Sequence, residues 1–485
     1  MLFMGIDAGT QGVRAVVADE NGGVMASESR SYAKMNVSGN DGHFEQSAHD
    51  WYAAAVYAVS GCVEQLKKQN IPPEDIAALC VDGTSGTILP VDAKKAPLTN
   101  AIMYNDMRAV SETGLVREKA ADLEKRLGYK FNASYALPKI LWIKNNLPEV
   151  FDRASLFLHQ TDYIIGRLCG EYGVTDYSNA LKTGYDLVNE RWPDTIAAVE
   201  IGLTKLPAVT APGKVIGTVQ KQAALELGLS ENTSVVAGAT DGYASALAAG
   251  AVSIGDWASI IGTTLVLKGV TRDLLIDPDG AGYSHKMPSG AYMLGGASNV
   301  GGKCLNERFK KEEFEYYNRF ADSLSPTGVL IYPLVGKGER FPFLDPDAKE
   351  FIAGDVSDKR ILYAALMEGV GFAERLAFDR MRAIGAEVGD ILYTSGGACR
   401  SDEWLRIRAS ILGKQLRVPE VIDAAMGSAL LAASSHFGSL SEAASRMIRF
   451  EKIVDPVAEK AKRYDELYGA FAAECRARFK MGGRS

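Results

Sequence analysis

The sequence has no cysteine pair at metal-binding or redox spacing: Cys62, Cys80, Cys169, Cys304, Cys399 and Cys475 stand far apart, with no C-x-x-C among them. That excludes a disulfide frame and a structural zinc site, and reads as six reduced thiols in a cytoplasmic protein. The five histidines are scattered too, with no H-x-x-x-H pair to hold a metal. No Lys/Arg block stands out, and the formal net charge is −7, so neither nucleic acid nor a membrane surface is an expected partner. No apolar run reaches transmembrane length, and no secretory leader is expected, because the chain is strand-like and acidic from its first residues. The glycine-rich start lacks two further things. Neither G-x-G-x-x-G nor G-x-x-x-x-G-K-[ST] can be threaded through Gly5, Gly9 and Gly12, so it is neither a Rossmann turn nor a P-loop.

What is present is an ordinary globular composition, 47% hydrophobic and 23% charged, in 485 residues, which is more than one core usually supports. Two domains are expected. The opening "MGIDAGTQGVRAVVADENGG" reads as strand, tight turn, strand and hairpin turn. It places Asp7 at a strand end beside Thr10 and Gln11, where backbone amides can face a phosphate while the carboxylate faces a cation. An ordinary hairpin with an aspartate in its turn has the same local sequence. The pattern recurs as "WASIIGTTLVLKGV" from Trp257, again apolar strand, Gly-Thr turn and β-branched strand. Between them lie a helical stretch from Ser47, the strand–turn–strand "IAALCVDGTSGTILPVD" (76–92) and "SVVAGATDGYASALAAG" (234–250), a strand feeding a small-residue helix. Near the end, "DILYTSGGACRSDEWLRIRASILG" (390–413) is strand, glycine turn and helix. Two halves that each start with a strand–Gly-Thr–strand unit suggest a duplication, divided within residues 245–257 and set at 1–247 and 248–485.

Seven segments in order, "GIDAGTQGVRAVVAD", "GTSGTILPVD" followed by "MYNDMRA", "GEYGVTDYSNA", "AGATDGYASALAAG", "IIGTT", "GKGERFPFLDPDA" and "SGGACRSDEWL", make the chain resemble the FGGY family of carbohydrate kinases over essentially its whole length. The resemblance implies an α/β protein of two actin-like ATPase (ribonuclease H-like) domains, each a mixed sheet flanked by helices, with a cleft between them. It implies transfer of phosphate from MgATP to a sugar or polyol hydroxyl, and often a homodimer. Phosphoryl transfer needs positioning, a metal to neutralise charge, and a base for the attacking hydroxyl. The resemblance assigns the base to Asp241. The physics agrees, since "SVVAGA" delivers that carboxylate to a helix start and Gly242 leaves room for substrate.

Asp7 is then expected to hold Mg²⁺ through water, because the ion keeps much of its hydration. Thr10 and Gln11 are expected to meet the phosphates, and Arg14 ranks lower as a solvated strand residue. Gly262, Thr263 and Thr264 resemble the second phosphate turn. Gly397, Ala398 and Ser401, with Gly396 and Asp402 nearby and Gly301 from "SNVGGKCL", are expected at the nucleotide. This chain has Ser395 where the family commonly has a third glycine. The sugar pocket is expected from Thr84, Ser85, Asn105, Asp106 and Asp241. "YND-x-R" resembles the "WND-x-R" of xylulokinases, yet their Gln-Met-His-Gly is replaced by Gly83-Thr84-Ser85-Gly86. "VDGTSGTILPVD" is similar to ribulokinases, and the Arg-Glu pair of glycerol kinases is missing. A ketopentose, xylulose or ribulose, is the expected substrate. Another polyol or deoxyketose, a sugar-sensing relative without catalysis, and an actin- or Hsp70-like ATPase are the alternatives.

Overall fold

The computed structural model describes residues 1–32 and 42–481. The chain forms two units. Unit 1 comprises Met1–Ala248, His285–Ala291 and Val421–Ile448, and unit 2 comprises Ala249–Ser284, Tyr292–Glu420 and Arg449–Ser485.

Unit 1 is built on a seven-stranded mixed sheet. Strands β1 (Leu2–Ala8), β2 (Gly12–Asp19) and β3 (Val24–Ser31) form an antiparallel meander, and β1 pairs in parallel on its other side with Ile76–Gly83. The order continues through Ser234–Val236 to Val215–Thr218, and Ala239–Thr240 also pairs with Ile76–Gly83. β1 reads as a near-continuous apolar run because helices cover both of its faces. Its even-numbered side chains, Met4 and Ile6, join a core with helix α1 (Ala48–Lys68), which Ser47 caps. α1 contributes Trp51, Ala55, Val59, Cys62 and Leu66, a stripe at helical period. Burying a large apolar side chain of this kind stabilises by about 1.5–3 kcal/mol. The odd-numbered face carries Phe3, Gly5 and Asp7 and meets the helix Ala424–Phe437. A Cβ on Gly5 would lie 1.7 Å from the Ala425 carbonyl oxygen, and one on Gly12 would lie 2.3 Å from that of Arg30. Two of the three opening glycines therefore serve close packing. Gly9 alone sits in the turn, where its N–H donates to the Gly12 carbonyl at 3.0 Å.

Unit 2 repeats the plan. Its seven-stranded sheet runs Gly282–Lys286, Tyr292–Ala297, Leu265–Thr271, Trp257–Ile261, Ile391–Ser395, Gln415–Pro419 and Phe450–Val454. Long helices, Lys359–Ala383 and Ala458–Arg478 among them, pack on it around a core that includes Trp257, Phe372, Leu405 and Phe471. Beneath the two central strands lies a fully buried ion pair. Arg408 donates from Nε and Nη2 to the two carboxylate oxygens of Glu374, each at 2.8 Å, and from Nη1 to Thr394 Oγ1 at 2.9 Å. The described cysteines are all free thiols. No helix among the described residues is long and apolar enough to cross a membrane.

Candidate active site

In unit 1, three adjacent parallel strands end in carboxylates. Asp7 on β1 is the register partner of Asp82 on Ile76–Gly83, and Thr240 is the partner of Gly83, so Asp241 follows at the next position. Asp241 opens the helix Asp241–Ala249 and accepts the Gly242 N–H at 2.6 Å. A fourth carboxylate, Asp423, caps the helix Ala424–Phe437 and pairs with Arg14. Burial pushes the Asp7 carboxyl up to about 6, helped by the charges of Asp423 and Asp241 and opposed by the contact with Asp82 and by Arg14. Asp82 is fully buried and is held well above the usual carboxylate range, by burial first and then by the charge of Asp7. Ser428 Oγ donates to its Oδ2 at 2.6 Å, while its Oδ1 is buried without a hydrogen-bond partner. Crowded carboxylates with an orphaned Asp82 oxygen have the donor chemistry that a hard divalent cation takes, although among the described residues no three His, Cys, Asp or Glu side chains are grouped around one metal position.

The turn after Asp7 is tied down through its carbonyls. Tyr32 Oη donates to Gly9 O at 3.1 Å, Gln46 Nε2 to Thr10 O at 2.8 Å, and Tyr32 N–H to Gln11 O at 3.0 Å. Thr10 Oγ1 reaches Tyr104 Oη at 3.4 Å. The segments expected at the sugar lie in the same unit. Thr84 is buried and committed to Gln160 and Thr87: its N–H donates to Gln160 Oε1 at 2.9 Å, its hydroxyl donates to the same oxygen at 2.7 Å, and the Thr87 hydroxyl lies 2.7 Å from Thr84 Oγ1. Asp106 is fully buried and accepts from Phe44 N–H at 2.6 Å, Arg108 N–H and Nε at 2.9 Å, and Arg108 Nη2 at 2.7 Å. These two side chains shape their loops. Ser85 Oγ and Asn105 Oδ1, by contrast, are buried polar atoms without a protein partner, one on each sugar segment. An unfilled buried acceptor costs about 1–3 kcal/mol unless a ligand or water meets it.

In unit 2 a cavity of about 460 Å³ brings together Gly262, Thr263, Gly397, Ala398 and Ser401. Gly301 is not among its lining residues; its neighbour Gly302 is. A Cβ on Gly301 would lie 2.5 Å from Thr264 Cα, so this glycine lets the loop close onto the turn, where Gly302 N–H donates to Gly262 O at 2.8 Å. Glu339, from "GKGERF", braces that loop by accepting from Ser298 Oγ at 2.8 Å and Asn299 N–H at 2.7 Å. Gly396 has φ of 94°, and a Cβ there would meet Ile261 O at 2.5 Å, so the glycine turn needs it twice over. Ser401 caps the helix Asp402–Leu412 by accepting Trp404 N–H at 3.1 Å, and the exposed Asp402 pairs with Lys452 at 2.7 Å. Phe314, Tyr363, Trp404, Asn306 and Asn318 also line the cavity. Apart from Trp404, which stands in the "SGGACRSDEWL" segment, nothing in their separate stretches marks them in the sequence. Asp82 was visible, since "VDG" in 81–83 ends an apolar strand as "IDA" in 6–8 does.

Residues 2–248 match the N-terminal domain of the FGGY family of carbohydrate kinases, and residues 257–436 match its C-terminal domain. The chain belongs to that family. It is accordingly a sugar phosphotransferase with the family's actin-like ATPase fold and ATP as phosphate donor. Among curated proteins it is similar to the xylulose kinase of Bacillus subtilis, 28% identical over 96% of this chain and 95% of that protein. It is also similar to the gluconokinase of the same organism, 25% identical over 97% and 94%. Among solved structures, the xylulose kinase of Rhodospirillum rubrum superposes with a TM-score of 0.86 at 25% identity, covering 98% of this chain and 99% of that one.

Proposed function

We propose that the chain phosphorylates a ketopentose, xylulose or ribulose, with MgATP as donor and Asp241 as general base. The observation that carries this reading is the row of carboxylates Asp7, Asp82 and Asp241 on adjacent strand ends, beside a braced Gly-Thr turn and two unfilled polar atoms, Ser85 Oγ and Asn105 Oδ1. Ser85 and Asn105 hold sugar hydroxyls, while Thr84 and Asp106 keep their loops in place. The Asp241 carboxylate takes the proton of the attacking hydroxyl as its oxygen bonds the γ-phosphorus. The bond from that phosphorus to the β–γ bridging oxygen breaks, and ADP leaves with the electron pair. Bound Mg²⁺, which Asp7 would hold, supplies neutralisation of charge on the phosphates. Thr10 and Gln11 orient the moving phosphoryl group. In unit 2, Gly262 and Thr263 meet the phosphates, and Gly397, Ala398 and Ser401 border the nucleoside, with aromatic side chains of the same cavity available to its base.

The sugar is set by a panel: ADP release from MgATP with xylulose, ribulose, gluconate, glycerol and a hexulose. A kcat/KM for a ketopentose well above that for gluconate supports the reading. Preference for gluconate replaces the substrate and keeps the mechanism, and no sugar-dependent ADP release with any member overturns both.

A further inference from the structure

We propose that Gln46 and Tyr32 are positioning residues that set the phosphate turn from the sugar side of unit 1, a proposal that rests on the kinase reading above. All three carbonyls of the turn are held from behind, by Tyr32 Oη on Gly9, Gln46 Nε2 on Thr10 and Tyr32 N–H on Gln11. Each brace continues into a sugar segment. Tyr32 Oη accepts from Gln160 Nε2 at 3.4 Å, and the other end of that amide, Oε1, accepts both the Thr84 N–H at 2.9 Å and the Thr84 hydroxyl at 2.7 Å. Gln46 belongs to the short strand Glu45–Gln46, which pairs with Ala101–Ile102 just before Asn105. Its neighbour Glu45 pairs with Arg108 Nη1 at 2.8 Å, and the same guanidinium grips Asp106. Trp51 Nε1 donates to Gln46 Oε1 at 2.8 Å, which fixes the way the amide points and leaves its NH₂ end for Thr10. Gln46, Trp51 and Gln160 are all buried, so water does not compete for these bonds.

The two relays give the turn a position defined by the sugar loops. With its carbonyl oxygens held and its Gly9 N–H given to Gly12 O, the turn keeps the Thr10 and Gln11 amides and the Thr10 hydroxyl for an anion, and the placement of that hydroxyl depends on the Gln46 bond to the carbonyl of the same residue. Phosphoryl transfer is mostly positioning, and a misplacement of 1 Å costs about 10²-fold, so losing one brace is expected to lower kcat by about ten-fold. Neither Gln46 nor Tyr32 bonds the Ser85 or Asn105 side chain, so KM for the sugar is expected to stay within about two-fold.

The test uses full-length Gln46→Met and the near-isosteric Tyr32→Phe, each with melting checked, and measures kcat and KM with MgATP and whichever member of the panel, xylulose, ribulose, gluconate, glycerol or a hexulose, the wild type turns over best. The same Gln46→Met change is then made in a Thr10→Ala background. The proposal expects the ten-fold kcat loss at near-constant sugar KM in both single variants. It also expects no further loss from Gln46→Met once the Thr10 hydroxyl is gone, because that brace acts through Thr10. Unchanged kcat in the two folded single variants overturns it, as does a full additional ten-fold loss in the double variant, which would mark a generally structural role. Wild-type protein without sugar-dependent turnover refutes the kinase reading and this proposal with it, whereas normal wild-type turnover with unaffected variants refutes this proposal alone.

Discussion

The two Gly-Thr turns, Gly9–Gln11 in unit 1 and Gly262–Thr264 in unit 2, are the same hairpin put to different work. Each joins two antiparallel strands of a seven-stranded sheet, and each follows a strand that pairs in parallel on its other side. With the Gly-Thr pairs aligned, Asp7 of the first corresponds to Ile260 of the second. The first turn is fixed by hydrogen bonds to its carbonyls and stands among carboxylates. The second is fixed by a glycine loop pressed against it and opens on a cavity with aromatic walls. The hairpin supplies amides in both places. What stands at the end of the preceding strand differs: a carboxylate, Asp7, in the first and an apolar side chain, Ile260, in the second.

The sharpest break in that comparison is Asp241→Asn, which removes the base proposed for unit 1. Sugar-dependent ADP release should fall by about 10²–10⁴-fold with melting little changed. On the unit 2 side the largest effect should be on stability. Arg408→Met strands the Glu374 carboxylate under the central strands, and breaking a buried pair costs about 3–5 kcal/mol, measurable as a lower denaturation midpoint. Asp7→Asn should raise the Mg²⁺ concentration needed for half-maximal turnover by about 10–100-fold, since a group acting on a metal through water is worth that much, while the ADP dissociation constant without Mg²⁺ stays close to wild type.

Glycine substitutions sharpen the contrast between packing and turn positions. Gly5→Ala and Gly301→Ala drive a methyl into backbone and should cost about 1–3 kcal/mol each. Gly9→Ala and Gly262→Ala meet nothing closer than 3.7 Å and should leave the unfolding midpoint near wild type.

The last expected effect is a slope with pH. Lys139 is fully buried, donates to Gly86 O at 2.9 Å and Ser134 O at 3.0 Å, and thereby fastens the loop that carries Thr84 and Ser85. Burial lowers its ammonium to about 7, with Lys182 and Arg108 adding to the fall and Asp106 opposing it. Between about 7 and the ordinary 10.5 the unfolded chain binds more protons than the folded one, so this residue makes stability rise with pH across that window. Lys139→Met should flatten that part of the stability profile, as read by chemical denaturation at pH 7 and pH 10.

The hairpins, the Asp-Gly helix start and the glycine turn near 396 were legible in the sequence because period-two strands and turn residues are local signals. Asp7, Thr10, Gly262, Thr263 and Gly397 stand where such signals put them. Three things were not legible. The helix Ala424–Phe437 belongs to unit 1 through Gly5 and through Ser428 on Asp82, contacts between residues hundreds of positions apart. The cavity's Phe314 and Tyr363 come from helices whose apolar residues look like any core stripe. Thr84 and Asp106, polar residues in the right loops, turn out to spend their hydrogen bonds on Gln160 and on Arg108 and Phe44, which no spacing reveals.

The most direct measurement is ³¹P NMR of the protein with MgATP and a ketopentose. The account predicts that a sugar-phosphate resonance grows in step with ADP and that neither grows with Asp241→Asn. ADP accompanied by inorganic phosphate alone, or equal sugar-phosphate formation by the variant, would contradict it.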